Sequence, residues 1–263
     1  MTEPLSPRNP LVQQARQLAR ERKERDESGL AVLEGIRLAE EAISAGLPLE
    51  YALYSDQLSD RERGRELLSA LREAGVTLHY VAAETLERAA DTQSPQGIIG
   101  VFHPKPHRLS DLPRGLVVVL DNVQDPGNLG TVIRSLEALG GAGLVVTGGV
   151  DPYNPKVIRG AMGSLFRLPV VKAPLETALS QLKSRNRSLF LADAEGSLAP
   201  WDADLTGNAV LVIGNEGAGP SDAARALADG TIRIPMPGPT ESLNAGVAAS
   251  LLIYEAMRQR SKG

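Results

Sequence analysis

A chain of 263 residues, 42% of them hydrophobic and 23% charged, is long enough to bury a substantial core in one large or two ordinary domains. It has no cysteine, which excludes disulfides and cysteine-based zinc or redox sites, and its three histidines, His79, His103 and His107, give no expectation of a metal site. The net charge of −4 gives no overall attraction to nucleic acid, although a local basic face stays open, and aliphatic runs such as LVVVL are too short to span a bilayer, so no membrane partner is expected.

The first stretch, MTEPLSPRNP, lacks the apolar run of a signal peptide, and cytoplasm is the expected location. Periodicity then predicts a helix over 8–26, a helix over 34–45, a strand over 49–54, a helix over 61–74, a strand over 76–81, a helix over 83–90 and a strand over 97–102. This mixture suggests a small α/β/α domain over 1–106. Arg16, Arg20, Arg22, Lys23 and Arg25 crowd the first helix, with acids interleaved; a solvated helix with opposite-sign pairing is the plainer reading. The segment HPKPHRLSDLPRG (103–115) is rich in proline and polar residues, and a linker is placed at 107–115.

From 116 to 263 the alternation is regular. Strands are expected at 116–121, 142–147, 169–172, 188–193, 209–214 and 231–235, and helices at 127–140, 154–163, 174–184, 220–228 and 242–258. Such alternation predicts an α/β fold with a largely parallel sheet, whose ligands bind at the carboxyl ends of the strands.

Three loops at those ends are unlike ordinary connectors. In DNVQDPGNLGTVIRSLEALG (121–140), Leu129, Val132, Ile133, Leu136 and Leu139 make one apolar stripe. Arg134 lies about 200° from Val132, so it points away from that stripe, either to solvent or toward an anionic ligand. Asn128 either caps the helix or faces a ligand. In AVLVIGNEGAGPSD (209–222), a strand runs into Gly214, Asn215, Glu216, Gly217, Ala218 and Gly219, which lets the backbone approach a ligand closely; a helix capped by Ser221 or Asp222 follows. In IPMPGPTESLNAGVAA (234–249), a Pro- and Gly-rich loop opens a helix near Ser242, whose ordinary role would be an N-cap, with Asn244 in the first turn. None of the three loops carries a dinucleotide or P-loop fingerprint, which argues against a nicotinamide-dependent oxidoreductase.

Taken together, NLGTVIRS, LVIGNEGAG and IPMPGPTESLNAGVAA resemble the three motifs of the SpoU (TrmH-type) RNA ribose 2′-O-methyltransferases, with NPKVIRGAMGSLFRLPVV between the first and second. LAVLEGIRLAEEAI (30–43) and TQSPQGIIGVF (92–102) resemble that family's ribosomal-protein-like substrate-binding domain. The resemblance implies a knotted methyltransferase domain over 116–263, whose parallel sheet ends in a deep trefoil knot. It also implies S-adenosylmethionine as cofactor, a homodimer, and RNA as partner, with no metal. By motif position, Asn128, Arg134, Glu216, Ser242 and Asn244 are the polar active-site residues. Gly214, Ile234 and Leu243, with Thr147 and Met236 nearby, would hold the methyl donor. Arg22, Lys23, Arg25 and Arg37 would contact RNA in the front domain, whose SPQG loop would face the catalytic domain. That extra domain favours large-subunit ribosomal RNA over tRNA as substrate. A tRNA ribose methyltransferase, a base methyltransferase and a non-catalytic RNA-binding assembly factor are the alternatives. Two departures from the family pattern stand out: Ala161 where many members carry serine, and Ala245-Gly246 in place of a common Val-Ser.

Overall fold

A computed structural model describes residues 3–92 and 95–261. The chain forms two compact units, Met1–Lys105 with Tyr153–Phe166, and Pro106–Pro152 with Arg167–Gly263.

The first unit contains, in chain order, α1 (Pro10–Arg20), α2 (Arg22–Ser28), β1 (Ala31–Glu34), α3 (Ile36–Ser44), β2 (Leu49–Tyr54), α4 (Asp56–Ser59), α5 (Glu62–Glu73), β3 (Thr77–Tyr80), α6 (Ala83–Ala89) and β4 (Ile98–Phe102). Its sheet runs β1-β4-β2-β3, with β4 antiparallel to both neighbours and β2 parallel to β3. Val12, Ala15 and Leu18 of α1 bury one face against Val32, Leu53 and Val101 of the sheet.

The helix expected over 8–26 is two helices, because the apolar positions end at Ala19 and packing no longer directs the chain beyond it. Glu21 is extended (φ −112°, ψ 116°), and the Leu18 carbonyl left free by the break accepts from the Arg25 guanidinium at 2.7 Å. The helix expected over 34–45 starts at Ile36 and is preceded by β1, a fully buried strand of four residues that periodicity cannot register.

The second unit contains β5 (Val117–Leu120), α7 (Pro126–Ala138) and β6 (Gly143–Val146). The chain then passes through α8 (Pro155–Ala161) of the first unit before β7 (Val170–Lys172), α9 (Leu175–Ser184), β8 (Ser188–Ala192), β9 (Ala209–Ile213), α10 (Asp222–Leu227), β10 (Gly230–Ile232) and α11 (Ala245–Arg260). The segment Tyr153–Phe166 thus lies outside the unit in which its place in the sequence put it. Within the first unit, Arg159 donates to Asp91 at 2.7 Å, and the Phe166 ring meets Phe102 edge-on at 5.6 Å.

All six strands of the second sheet are parallel, in the order β10-β8-β9-β5-β6-β7. Parallel strands covered on both faces need apolar side chains on both, and β5, β6 and β9 are buried along their whole length. The register aligns Leu120 with Ile213, Ile213 with Ala192, and Ala192 with Ile232. Four strands therefore empty into loops along one edge, and the three unusual loops are among them. No helix of the described residues is long and apolar enough to cross a membrane.

Candidate active site

The β5–α7 loop and the β9–α10 loop are tied together by Glu216. Its Oε1 accepts from the Asn128 side-chain amide at 2.9 Å and from the Asp125 N–H at 3.2 Å; its Oε2 accepts from the Gln124 N–H at 3.1 Å. Asn215 adds a fourth link, donating its amide to the Asn122 carbonyl at 2.9 Å. Burial alone would raise the Glu216 carboxyl. The bonds from the Asn128 amide and from the backbone N–H groups of Glu216, Gln124 and Asp125 outweigh it and hold the group below the ordinary glutamate range. A carboxylate so engaged is an ionised clamp and a poor proton acceptor.

Asn128 is free for this role because it is not the cap. Asp125 caps α7, accepting from the Asn128 N–H at 2.8 Å, with Pro126 at the first helical position. Asn128 is 5% exposed, so its bond to Glu216 satisfies a buried donor. Similarly Ser221, not Asp222, caps α10.

The third loop ends where α11 begins at Ala245. Asn244 is its N-cap, accepting from the Val247 N–H at 3.1 Å, while Ser242 lies exposed in the preceding loop. The first turn of α11 rests on the first turn of α7: a Cβ placed on Gly246 would lie 3.2 Å from Asn128 Cα and 3.2 Å from Asn244 Oδ1. A serine at this position would be crowded. Further along the same pair of helices, the Ser135 and Ser250 hydroxyls meet at 2.8 Å.

The β9–α10 loop and the loop before α11 line a cleft of about 430 Å³ at the carboxyl ends of β8, β9 and β10. That volume is within the range of small-molecule sites. Gly214, Ile234, Met236 and Leu243 line it, and Glu216, Ser242 and Asn244 stand around it. Gly214 admits no side chain, since a Cβ would fall 2.3 Å from the Pro220 nitrogen. Its absence allows β9 to turn sharply into the loop that floors the cleft.

Three expected residues lie outside the cleft lining, and of these Asn128 is joined to it through its bond to Glu216. Thr147 does not line the cleft; its hydroxyl donates to the Leu120 carbonyl at 3.0 Å, which closes the ends of β5 and β6. Arg134 is exposed on α7, outside the cleft, and makes no hydrogen bond or ion pair among the described residues.

Sequence reasoning missed Asp193 and Arg225, which pair across the cleft wall. Burial raises Asp193, but bonds from the Glu195 N–H and from Arg225 outweigh it and leave it lowered. An acid at the end of a predicted strand was the available signal for Asp193. Arg225 had none.

Of the basic residues, Arg22 pairs with Asp26 at 3.3 Å and Lys23 with Glu27 at 3.8 Å, both exposed. Arg25 is 6% exposed and is spent on the Leu18 carbonyl, so it is not available to RNA. Arg37 is exposed at the start of α3. Ser94 of the SPQG loop lies outside the described residues. Among the described residues, no group of three or more His, Asp or Glu side chains is gathered as a metal site would require. On α11, Val247, Leu251 and Tyr254 are exposed at 47%, 46% and 54%, at spacings that put them on one face.

Comparison with known proteins agrees with this geometry. The profile of the SpoU rRNA Methylase family matches residues 115–254, and that of the MRM3-like substrate binding domain matches 9–100. A 23S rRNA (uridine(2479)-2′-O)-methyltransferase of Streptomyces viridochromogenes is 35% identical over 270 residues, covering 98% of this chain and 93% of that protein. A 23S rRNA (guanosine(2553)-2′-O)-methyltransferase of Bacillus subtilis is 30% identical over 234 residues, covering 89% and 90%. The crystal structure of a SpoU methyltransferase from S. viridochromogenes in complex with AdoMet superposes with a TM-score of 0.90 at 35% identity, over 97% of this chain and 100% of that one.

Proposed function

Because this chain belongs to the SpoU rRNA methylase family, we propose that it transfers a methyl group from S-adenosylmethionine to a ribose 2′-hydroxyl of large-subunit ribosomal RNA. The observation that carries this reading is the meeting of Glu216, Ser242 and Asn244, from two separate loops, at one cleft with apolar residues in its wall, with Asn128 of a third loop hydrogen-bonded to Glu216.

The cleft fits the donor: Ile234, Met236 and Leu243 offer apolar surface to an adenine and a thioether, and Gly214 keeps the β9 turn tight. When bound, S-adenosylmethionine supplies a methyl activated by a sulfonium, whose leaving group is a neutral thioether. A new oxygen–carbon bond forms as the carbon–sulfur bond breaks, its electron pair stays on sulfur, and the hydroxyl proton passes to water. Glu216 holds the β5–α7 loop and orients Asn128 toward the ribose. Ser242 and Asn244 position the third loop. Arg134 stabilises the oxygen as it gains charge and binds the neighbouring phosphate; a guanidinium does this better than it accepts a proton. Arg22, Lys23 and Arg37 remain as RNA contacts in the first unit.

The proposal extends to assembly and location. Val247, Leu251 and Tyr254 form the apolar face of a homodimer, and the protein works in the cytoplasm. The family's trefoil knot is assigned to the carboxyl-terminal segment. In support, α11 leaves edge strand β10 yet packs on α7, which follows β5 three strands away.

The test uses methyl-labelled S-adenosylmethionine with transcripts of ribosomal RNA and tRNA, followed by digestion and identification of labelled nucleosides. A 2′-O-methyl nucleoside from ribosomal RNA is expected. Label on tRNA alone overturns the substrate, and label on a base overturns the ribose chemistry. Absence of both label and donor binding restores the non-catalytic reading.

A further inference from the structure

The first unit holds a second cleft, of about 270 Å³, that the methyl-transfer chemistry does not use. Leu38, Pro95 and Met162 give it apolar walls, and Arg37, Gln96 and Arg159 give it a polar rim. Gln96 sits at φ +56°, a left-handed backbone that costs a non-glycine residue about 1–2 kcal/mol. The strained residue places its Oε1 on the otherwise uncapped Ile36 N–H of α3, at 3.1 Å. With Oε1 committed, the Gln96 amide offers only donors, and these have no partner among the described residues. Arg159 spends Nη2 on Asp91, while its Nη1 is buried with no partner among the described residues. The acceptor present, Glu34, is already used: its two oxygens take the Asp91 N–H at 2.5 Å, the Thr92 N–H at 3.2 Å and the Thr92 hydroxyl at 2.9 Å.

Apolar walls, unspent donors and spent acceptors describe a seat for a flat heterocycle that brings carbonyl acceptors. The carboxylates of Glu34 and Asp91 offset Arg37 and Arg159, which disfavours a bare anion. The cleft is also smaller than most drug-sized sites. Single-stranded RNA is recognised through unstacked bases that lie on apolar or guanidinium surfaces and bond along their edges. Guanine and uracil present carbonyl edges, whereas the amino groups of adenine and cytosine would face the donors.

We propose that this cleft seats one unpaired guanine or uracil of the RNA substrate, its carbonyl edge toward Gln96 and Arg159. This rests on the RNA-methylation reading above and names where the first unit grips its substrate.

The test substitutes Gln96→Glu. This keeps an oxygen on the Ile36 N–H, and a carboxylate is welcome at a helix amino terminus, so folding is retained. A large-subunit rRNA transcript carrying 4-thiouridine or 6-thioguanosine is photo-crosslinked to the full chain, and the crosslinked peptide is mapped. The expected result is a crosslink within 34–38, 95–96 or 159–162, with RNA affinity lowered about tenfold in the variant and S-adenosylhomocysteine affinity unchanged. If the wild-type chain methylates the transcript but the variant binds it with full affinity, or crosslinks map only elsewhere, the base seat is overturned and the methyltransferase reading stands. If the wild-type chain neither binds nor methylates RNA, both fall together.

Discussion

Replacing Glu216 by alanine removes the acceptor of three bonds, at 2.9, 3.1 and 3.2 Å, that hold the β5–α7 loop to the β9–α10 loop. A hydrogen bond to a charged group contributes about 1.5–3 kcal/mol net, and the exposure of this loop argues for less than that from each backbone donor. The Asn128 amide, in a residue 5% exposed, would be left without its acceptor at a further cost of about 1–3 kcal/mol. The loss of loop order is then on the order of 3 kcal/mol. Expressed in the transition state, at about 1.4 kcal/mol per tenfold, it lowers the methyl-transfer rate roughly a hundredfold. The assay is single-turnover transfer at saturating donor and RNA, which separates chemistry from binding. Glu216→Gln should fall between, since its one oxygen cannot serve all three donors. The pH dependence has a definite sign. The folded carboxyl lies below its ordinary value of 4.5, so its contribution is complete above that pH and is lost as pH falls through the lowered value. Glu216→Gln should lack that acid limb. A full single-turnover rate in Glu216→Ala would refute the clamp.

Arg134→Ala should leave melting temperature and S-adenosylhomocysteine affinity unchanged, because the side chain has no partner among the described residues to lose, while methyl transfer falls about 10²–10³-fold; equal losses in rate and donor binding would sink that division of roles. Gly214→Ala puts a Cβ 2.3 Å from the Pro220 nitrogen, and a backbone atom cannot rotate away, so calorimetric affinity for S-adenosylhomocysteine should drop at least about tenfold. Leu251→Glu buries a charge in the proposed dimer face and should yield monomers by sedimentation; a dimer of unchanged stability would place the interface elsewhere.

The catalytic sheet was legible because parallel strands leave a plain trace. Val117–Leu120 and Ala209–Ile213 are buried on both faces and read as continuous aliphatic runs, each ending in Gly, Asn or Asp. The front sheet was less so. β1 is four residues long and meets the helical pattern of α3 across a single glycine, so three of its residues were given no element and Glu34 was placed in the helix. The break at Glu21 carries no proline or glycine; it follows from where apolar contacts stop, which is a tertiary fact. Membership of Tyr153–Phe166 in the first unit is likewise invisible until Arg159 and Phe166 find Asp91 and Phe102.

Within the site, motif position named candidate residues but not their partners. Ser242 and Asn244 are both good helix caps, and no propensity chooses between them. The choice is made by Gly246, which must lie against Asn128 for α11 to pack on α7, and that register sets the cap at Asn244. The same packing bears on Arg134. Ser135 and Ser250 are hydrogen-bonded across the two helices, and Arg134 and Leu251 are their chain neighbours. Arg134, outside the donor cleft, is thus next in sequence to a residue of the α7–α11 contact, as Leu251 of the exposed apolar stripe is. If that stripe is covered by a second copy, Arg134 stands at the rim of the interface, where lowered dielectric strengthens its hold on a developing oxyanion. The proposed dimer face and the proposed role of Arg134 are then one functional feature: the Leu251→Glu monomer should keep its donor affinity and lose methyl transfer, as is expected of Arg134→Ala.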